Sequence, residues 1–145
     1  MPEIHEGGCN CGAVRYRAKG EPVRGAVCQC RFCQRGTGSA FGIGVYFKLE
    51  DVQFLRGTRK TYEHRSDESH RWIRTEFCVN CGTSLTWTVE ALPGERAMAG
   101  GTFDDPDWFK IARHSWTRSA HRWVALPADV PSFEKSAFAP PPASV

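Results

Sequence analysis

The sequence lacks long hydrophobic runs and strong net charge. No apolar stretch approaches the ~18 residues that a membrane helix requires. Residues 1–8, MPEIHEGG, contain neither the basic region nor the apolar segment of a signal peptide. The formal charge is +3 and the isoelectric point about 8.5, below the ~9 typical of nucleic-acid-binding domains. We therefore expect a cytoplasmic protein that binds small molecules, with no membrane and no nucleic acid as partner.

Internal repeats and amphipathic helical periodicity are also scarce. The 145 residues suffice for one domain, and glycine-containing turns separate short β-branched and aromatic runs, a pattern typical of a mainly β fold. We predict one zinc-binding domain over residues 1–136. The proline-rich end, residues 137–145, has little apolar content to pack and is predicted to be a disordered tail.

Several strands follow from the hydrophobic pattern. Period-2 alternation and one apolar run predict strands at 14–19, 40–47, 73–77 and 85–89. Segments 52–55 and 60–64 flank turn-like residues 56–59, so we expect these two segments to pair as a β-hairpin. The tryptophans could line a substrate cleft, but in a small β domain we expect them to fill the core. They are Trp72, Trp87, Trp108, Trp116 and Trp123.

All seven cysteines fall into three short motifs. The motifs are Cys9-Asn10-Cys11-Gly12, Cys28-Gln29-Cys30-Arg31-Phe32-Cys33 and Cys78-Val79-Asn80-Cys81-Gly82. Two thiolates separated by one or two residues can reach the same metal from one turn, and a following glycine gives that turn its backbone freedom. Cysteines that were merely buried would be scattered along the chain. A redox CxxC would open a helix of a βαβ unit, which the pattern does not show. The spacing therefore predicts zinc binding.

Seven ligands divide naturally into four and three. Structural zinc takes four protein ligands, whereas catalytic zinc takes three and keeps one position for water or substrate. Cys28, Cys30 and Cys33 can supply three ligands from one loop. The two remote pairs would then form a closed, structural site: Cys9, Cys11, Cys78 and Cys81. Alternatively, one of the histidines completes the triple and closes both sites. The candidates are His5, His64, His70, His114 and His121.

The ordered motifs CxCG, CxCxxC and CxxCGT resemble those of the glutathione-dependent formaldehyde-activating enzymes, to which centromere protein V is also similar. The resemblance covers about residues 7 to 134 and includes segments 13–16, 77–85, 114–116 and 123–124. It implies an Mss4-like fold of small antiparallel sheets tied together by zinc. The structural zinc ligands would be Cys9, Cys11, Cys78 and Cys81, and the catalytic zinc ligands Cys28, Cys30 and Cys33.

The resemblance also implies a reaction. Formaldehyde, or another small carbonyl compound, would be joined to or removed from the sulfur of glutathione or a similar thiol, which is carbon–sulfur lyase chemistry. The similarity to centromere protein V suggests an alternative, a non-catalytic zinc scaffold that binds another macromolecule. Gln29 stands where the family often has histidine, so a side chain that titrates near neutral pH is absent there.

Two arginines beside the triple are candidate ligands for the carboxylates of glutathione. Arg31 and Arg35 can each hold a carboxylate through two parallel hydrogen bonds, or they can be solvated surface residues. Residues 36–39 can offer backbone N–H groups to an anion, or they can be a plain connector.

Overall fold

Residues 1–137 are described by the computed structural model, and they contain ten strands and one α-helix. In chain order these elements are β1 (Ile4–Gly8), β2 (Arg15–Lys19), β3 (Arg24–Cys28), α1 (Arg31–Thr37), β4 (Gly42–Lys48), β5 (Val52–Arg56), β6 (Arg59–Arg65), β7 (Trp72–Cys78), β8 (Ser84–Val89), β9 (Glu95–Ala99) and β10 (Arg113–Ser115). Single 3-10 turns lie at Leu49–Asp51, Gly100–Thr102 and Thr117–Ser119. The predicted tail lies outside the described residues, apart from Ala137.

The strands form a small sheet and a large sheet. The small sheet has the order β1-β2-β5, and the large sheet has the order β10-β3-β4-β9-β8-β7-β6. All pairs are antiparallel except β10 with β3, which run parallel. The predicted fold class, mainly β with antiparallel sheets, is confirmed.

The hydrophobic core lies between the two sheets. Tyr16 and Ala18 from the small sheet and Val45 and Phe47 from the large sheet belong to one cluster and are fully buried. Each large side chain of this kind contributes ~1.5–3 kcal/mol when it leaves water. Because side chains alternate along a strand, the glycines and Tyr46 of β4 lie on the opposite face of the large sheet. That face is therefore free to build a site.

Most of the predicted strands are present. The alternation at 14–19 corresponds to β2, and the apolar run at 40–47 to β4. Segments 73–77 and 85–89 correspond to β7 and β8, which pair antiparallel around the last cysteine motif. These predictions are confirmed.

The predicted hairpin between segments 52–55 and 60–64 is wrong. β5 pairs with β2 in the small sheet, whereas β6 pairs with β7 in the large sheet. Gly57 lies between them with φ +94°, and a Cβ atom there would lie 2.4 Å from the carbonyl oxygen of Ala13. A glycine is required here because the backbone passes very close to Ala13 as the chain leaves the small sheet and enters the large sheet. It does not form the tight turn of a hairpin.

No helix among residues 1–137 is long and apolar enough to cross a membrane.

Candidate metal and substrate site

The first and last cysteine motifs each form a turn that a glycine closes, over the four residues 9–12 and over the five residues 78–82. The amide of Gly12 donates to the carbonyl of Cys9 at 3.1 Å, and the amide of Gly82 donates to the carbonyl of Cys78 at 2.9 Å. Gly12 and Gly82 adopt φ values of +76° and +78°, a region that strains other residues. The glycine after each second cysteine is thus needed to close the turn.

These two turns bring four sulfur atoms together. The Sγ atoms of Cys9, Cys11, Cys78 and Cys81 all lie within 4.8 Å of one another. The distance is 3.5 Å from Cys9 to Cys11 and 3.8 Å from Cys11 to Cys78. Four sulfurs around a tetrahedral zinc ion, each at ~2.3 Å, are about 3.8 Å apart. The donor set therefore fits a metal ion of this kind.

Backbone hydrogen bonds to this four-sulfur group favour thiolates. At Cys78, however, the backbone amides of Cys81 and Asn80 are outweighed by burial and by hydrogen bonds with the Cys9 and Cys81 thiols, which raise the pKa of Cys78. The backbone amide of Val14 donates to Cys9 Sγ at 3.2 Å, and that of Asn80 donates to Cys78 Sγ at 3.4 Å. The hydrogen bond with the Thr83 hydroxyl lowers the pKa of Cys81 to about 5. Thiolates, not thiols, are the form that binds metal.

The middle motif lies at a strand-to-helix corner. Cys28 is the last residue of β3, Cys30 caps the N-terminus of α1, and Cys33 lies in its first turn. The amide of Cys33 donates to Cys30 Sγ at 3.2 Å. All three sulfurs lie within 4.8 Å of one another. The sequence analysis placed them on a loop; the helix was missed because seven residues are too few for a hydrophobic period.

The three sulfurs of this corner compete for one negative charge. Hydrogen bonds from the thiols of Cys28 and Cys33 lower the pKa of Cys30 to about 3. The hydrogen bond that Cys28 donates to Cys30 raises the pKa of Cys28 to about 12. Cys33, hydrogen-bonded to Cys28 and Cys30, has a pKa raised well above its ordinary value. Three adjacent thiolates therefore require a cation, which fits a metal site.

No histidine of residues 1–137 joins this group of three sulfurs. His114 lies behind it, with Nδ1 at 3.0 Å from Nε2 of the buried Gln29. Gln34 donates from Nε2 to the backbone oxygen of Gln29 at 2.8 Å, and its Oε1 lies 3.2 Å from His121 Nε2. Gln29 thus holds the cysteine motif to the segments behind it, and its side chain does not line the cavity described next.

A cavity of about 990 Å³ opens beside the three cysteines. The large sheet forms its floor, and α1 forms a wall that carries Cys30, Cys33, Arg31 and Arg35. Both arginines are exposed at this wall, and Arg31 Nη1 donates to Gln34 Oε1. The structure therefore brings the two predicted arginines to the same cavity as the triple.

The expectation that all five tryptophans fill the core is wrong. Trp108 packs against the core cluster, but Trp87 and Trp116 line the cavity. Trp123 is 77% exposed. Trp72 is only partly buried, and its ring stacks with the guanidinium group of the exposed Arg74 at 3.9 Å. The buried aromatic residues of the core are instead Tyr16, Phe47 and Phe103.

Several residues that line the cavity were not predicted as substrate-site residues, and His64 was named only as a possible zinc ligand. The rings of Phe32 in α1 and His64 in β6 stack at 4.4 Å and join the helix to the far end of the sheet. Tyr46 also lines the cavity, where burial raises its pKa. The sequence pattern Gly42-x-Gly44-x-Tyr46 could have predicted this cavity. It places two glycines, which have no side chain, next to each other on one face of a strand and so leaves room above that face.

These features define a class of protein, a two-sheet β domain with two cysteine clusters that can each hold a metal ion. The family model described as glutathione-dependent formaldehyde-activating enzyme matches residues 4–119, and the chain belongs to that family. A crystal structure of a Rhodobacter sphaeroides protein has a similar fold, with a TM-score of 0.56 and 20% identity over 88% of this chain and 98% of that chain. The family inferred from the cysteine motifs is confirmed.

Proposed function

We propose that the protein is a zinc-dependent carbon–sulfur lyase resembling S-(hydroxymethyl)glutathione synthase. It adds a small carbonyl compound to the sulfur of glutathione or a similar thiol, or removes it, in the cytoplasm. The observation that supports this proposal is the group formed by Cys28, Cys30 and Cys33, which has three sulfurs, no histidine among residues 1–137 and a cavity beside it. Three protein ligands are the number found in catalytic zinc sites.

The two cysteine groups have different roles in this proposal. Cys9, Cys11, Cys78 and Cys81 hold a structural zinc ion, because four thiolates complete a tetrahedron. Cys28, Cys30 and Cys33 would hold a second zinc ion with three protein ligands, the number typical of catalytic sites, beside the cavity. The chemistry that zinc supplies there is activation of the incoming thiol, because a thiol bound to zinc is deprotonated and the thiolate is the nucleophile.

The remaining cavity residues orient the thiol. Arg31 and Arg35 project from α1 beside the three sulfurs, and their guanidinium groups can hold the carboxylates of glutathione in bidentate pairs. Three anionic ligands weaken the metal as a Lewis acid, so positioning of the carbonyl compound falls to the protein.

The proposal is tested by exchange NMR. Zinc-loaded protein, glutathione and formaldehyde are mixed, and the exchange between glutathione and its hydroxymethyl adduct is measured. We expect faster exchange than in buffer and no acceleration by Cys30→Ser. Wild-type protein that leaves the buffer rate unchanged would remove the formaldehyde reaction.

X-ray absorption at the zinc edge tests the ligand set in the same samples. We expect sulfur ligands from the chain and one additional sulfur at the three-cysteine site after glutathione is added. A histidine ligand at that site, with no response to thiol, would favour the non-catalytic scaffold.

A further inference from the structure

We propose that the cavity beside the three cysteines binds an aromatic ring carried by the carbonyl compound, so that aromatic aldehydes are preferred over formaldehyde. The inference rests on the proposed function and specifies its substrate. In the reaction the thiol sulfur forms a bond to the carbonyl carbon, the carbonyl π bond breaks, and the thiol proton ends on the oxygen. No oxidant or reductant is required.

Two glycines of β4 bring a tryptophan next to the sulfur site. A Cβ atom on Gly42 would lie 3.4 Å from Cβ and 3.6 Å from Sγ of Cys33, so Cys33 lies directly over Gly42. A Cβ atom on Gly44 would lie 2.9 Å from Cζ2 of Trp87, so the indole lies directly over Gly44. Residues i and i+2 of a strand lie on the same face, and their Cα atoms are roughly 6.6 Å apart. Trp87 and Cys33 therefore cover two successive glycines on the same face of β4.

Tyr46 completes the aromatic surface beside the cysteines. Its Cε2 atom would lie 2.9 Å from a Cβ atom on Gly44, so its ring also leans over that glycine. Nε1 of Trp87 donates to the Tyr46 hydroxyl at 3.4 Å. The indole N–H of Trp87 is thus already hydrogen-bonded to Tyr46. The surface that these two rings offer to a ligand near Cys33 is therefore aromatic carbon. Such a surface favours stacking with another ring.

The aromatic surface continues across the floor of the cavity. Trp87 pairs with Thr75, and Thr75 pairs with Tyr62, so these three side chains form a row across adjacent strands. Neighbouring strands are ~4.8 Å apart. Ile73 and Val89 pair in the next row on the same face and also line the cavity. The floor is thus an apolar strip that begins beside the cysteines and leads away from them.

Charged side chains surround this strip: Lys60, Asp67 and Arg113 line the cavity, as do the two arginines of α1. Arg31 and Arg35 lie on α1, where they can receive the carboxylates of the thiol substrate, while the strip through Trp87 and Tyr62 has no charged residue in its row. A volume of about 990 Å³ is at the upper end of the ~300–1,000 Å³ range of small-molecule sites. Formaldehyde has no group that could contact the strip, whereas the ring of an aromatic aldehyde would cover Trp87.

The preference for an aromatic group can be measured as a difference in binding affinity between two stable thioethers, which the protein does not convert. S-benzylglutathione and S-methylglutathione share the tripeptide and differ only in the group on sulfur. Calorimetric titration of the zinc-loaded full chain is expected to give S-benzylglutathione a Kd ~10- to 100-fold lower, as burial of a ring against aromatic residues predicts. Trp87→Ala is expected to remove most of this ratio.

Two further variants keep the test independent of folding defects. Tyr62 is 56% exposed, so Tyr62→Ala is not expected to unfold the chain, and it should lower the ratio severalfold. Trp123 is 77% exposed and does not line the cavity, so Trp123→Ala is the matched control and should preserve the ratio.

The outcomes separate this inference from the proposed function. Equal affinity for the two thioethers, or binding of neither, would overturn the inference even if formaldehyde exchange is accelerated. A benzyl preference that Tyr62→Ala and Trp87→Ala leave intact would overturn it as well. A benzyl preference that depends on these residues, without accelerated exchange of any adduct, would support the binding site and overturn the catalytic proposal.

Discussion

The two cysteine groups differ in how far they reach along the chain. The four-sulfur group joins turns that are remote in sequence, since Cys11 and Cys78 are separated by 67 positions. The three-sulfur group comes from one strand-to-helix corner within residues 28–33. A metal ion in the first group would cross-link the ends of a long segment, whereas one in the second would constrain only a corner that backbone hydrogen bonds already define.

The surroundings of the two groups differ as well. In the four-sulfur group, Cys9 and Cys78 are buried members of the core cluster between the sheets, whereas Cys11 and Cys81 are exposed. Cys28, Cys30 and Cys33 are only partly buried and line the cavity on the other face of the large sheet. Under the proposed function, the group that contacts the core would stabilise the fold, and the group that borders the cavity would bind the ligand.

The largest effect is expected from Cys78→Ser. Binding of zinc to four thiolates contributes ~10–16 kcal/mol in small zinc domains, which equals or exceeds the typical stability of a domain, ~5–15 kcal/mol. The variant should fail to accumulate as folded protein. Circular dichroism and zinc content measure this; a variant that melts like wild type would contradict the structural role of the four-sulfur group.

Cys30→Ser is expected to separate activity from stability. The serine retains the capping interaction at α1 but removes a metal ligand, so thiol–carbonyl exchange should fall to the buffer rate. The melting temperature should change by only a few degrees, as for a loss of ~1 kcal/mol in a domain of this size. If Cys30→Ser and Cys78→Ser unfold the chain equally, the division of roles between the two groups is wrong.

Metal removal should proceed in two stages. A site with three protein ligands and an open position exchanges with a chelator more readily than a closed four-ligand site. We expect removal of the first equivalent of zinc to abolish the exchange activity without unfolding the chain. Removal of the second equivalent should abolish the circular dichroism signal of the folded protein. Chelator titration followed by zinc content, exchange rate and circular dichroism measures both stages. Loss of structure with the first equivalent would reverse the assignment.

A smaller effect is expected from Glu76→Gln, on the strand that leads into Cys78. Glu76 accepts from Arg59 Nε at 3.0 Å and also pairs with Arg96. Burial opposes its ionisation, but Arg96 and then Arg59 outweigh burial and lower the pKa of Glu76 below its ordinary value. Breaking this pair should lower the free energy of unfolding by ~1–3 kcal/mol at neutral pH, as measured by denaturant titration.

The pH dependence of this effect has a defined sign. Because the pKa of Glu76 is lowered by folding, its stabilisation is present above the ordinary carboxylate pKa and is lost as pH falls through the lowered value. Wild type and Glu76→Gln should therefore converge in acid. The exposed pair of Glu63 with Arg74, at 2.8 Å, provides the control: Glu63→Gln should cost less than ~1 kcal/mol at any pH. A constant difference between wild type and Glu76→Gln would contradict the role of charge.

Local sequence patterns correctly predicted the strands that pair with the next strand along the chain. β7 and β8 pair across the turn that holds Cys78 and Cys81. Their alternation was visible because Ile73, Thr75, Trp87 and Val89 share the strand face that lines the cavity. The segments around Gly57 were misread as a hairpin because local turn chemistry does not reveal which sheet receives each strand. Only the close approach of Gly57 to Ala13 shows why the chain crosses there.

The sequence by itself determined the cysteine motifs, the two glycine-closed turns and the family, because ligand spacing and positive φ are local properties of a few residues. Only the tertiary structure decided that Trp87 lies beside Cys33 and that Gln29 is held by His114. Those contacts depend on strand order and on which face of the large sheet the core occupies. Both are set by burial summed over the whole chain, which no single motif encodes.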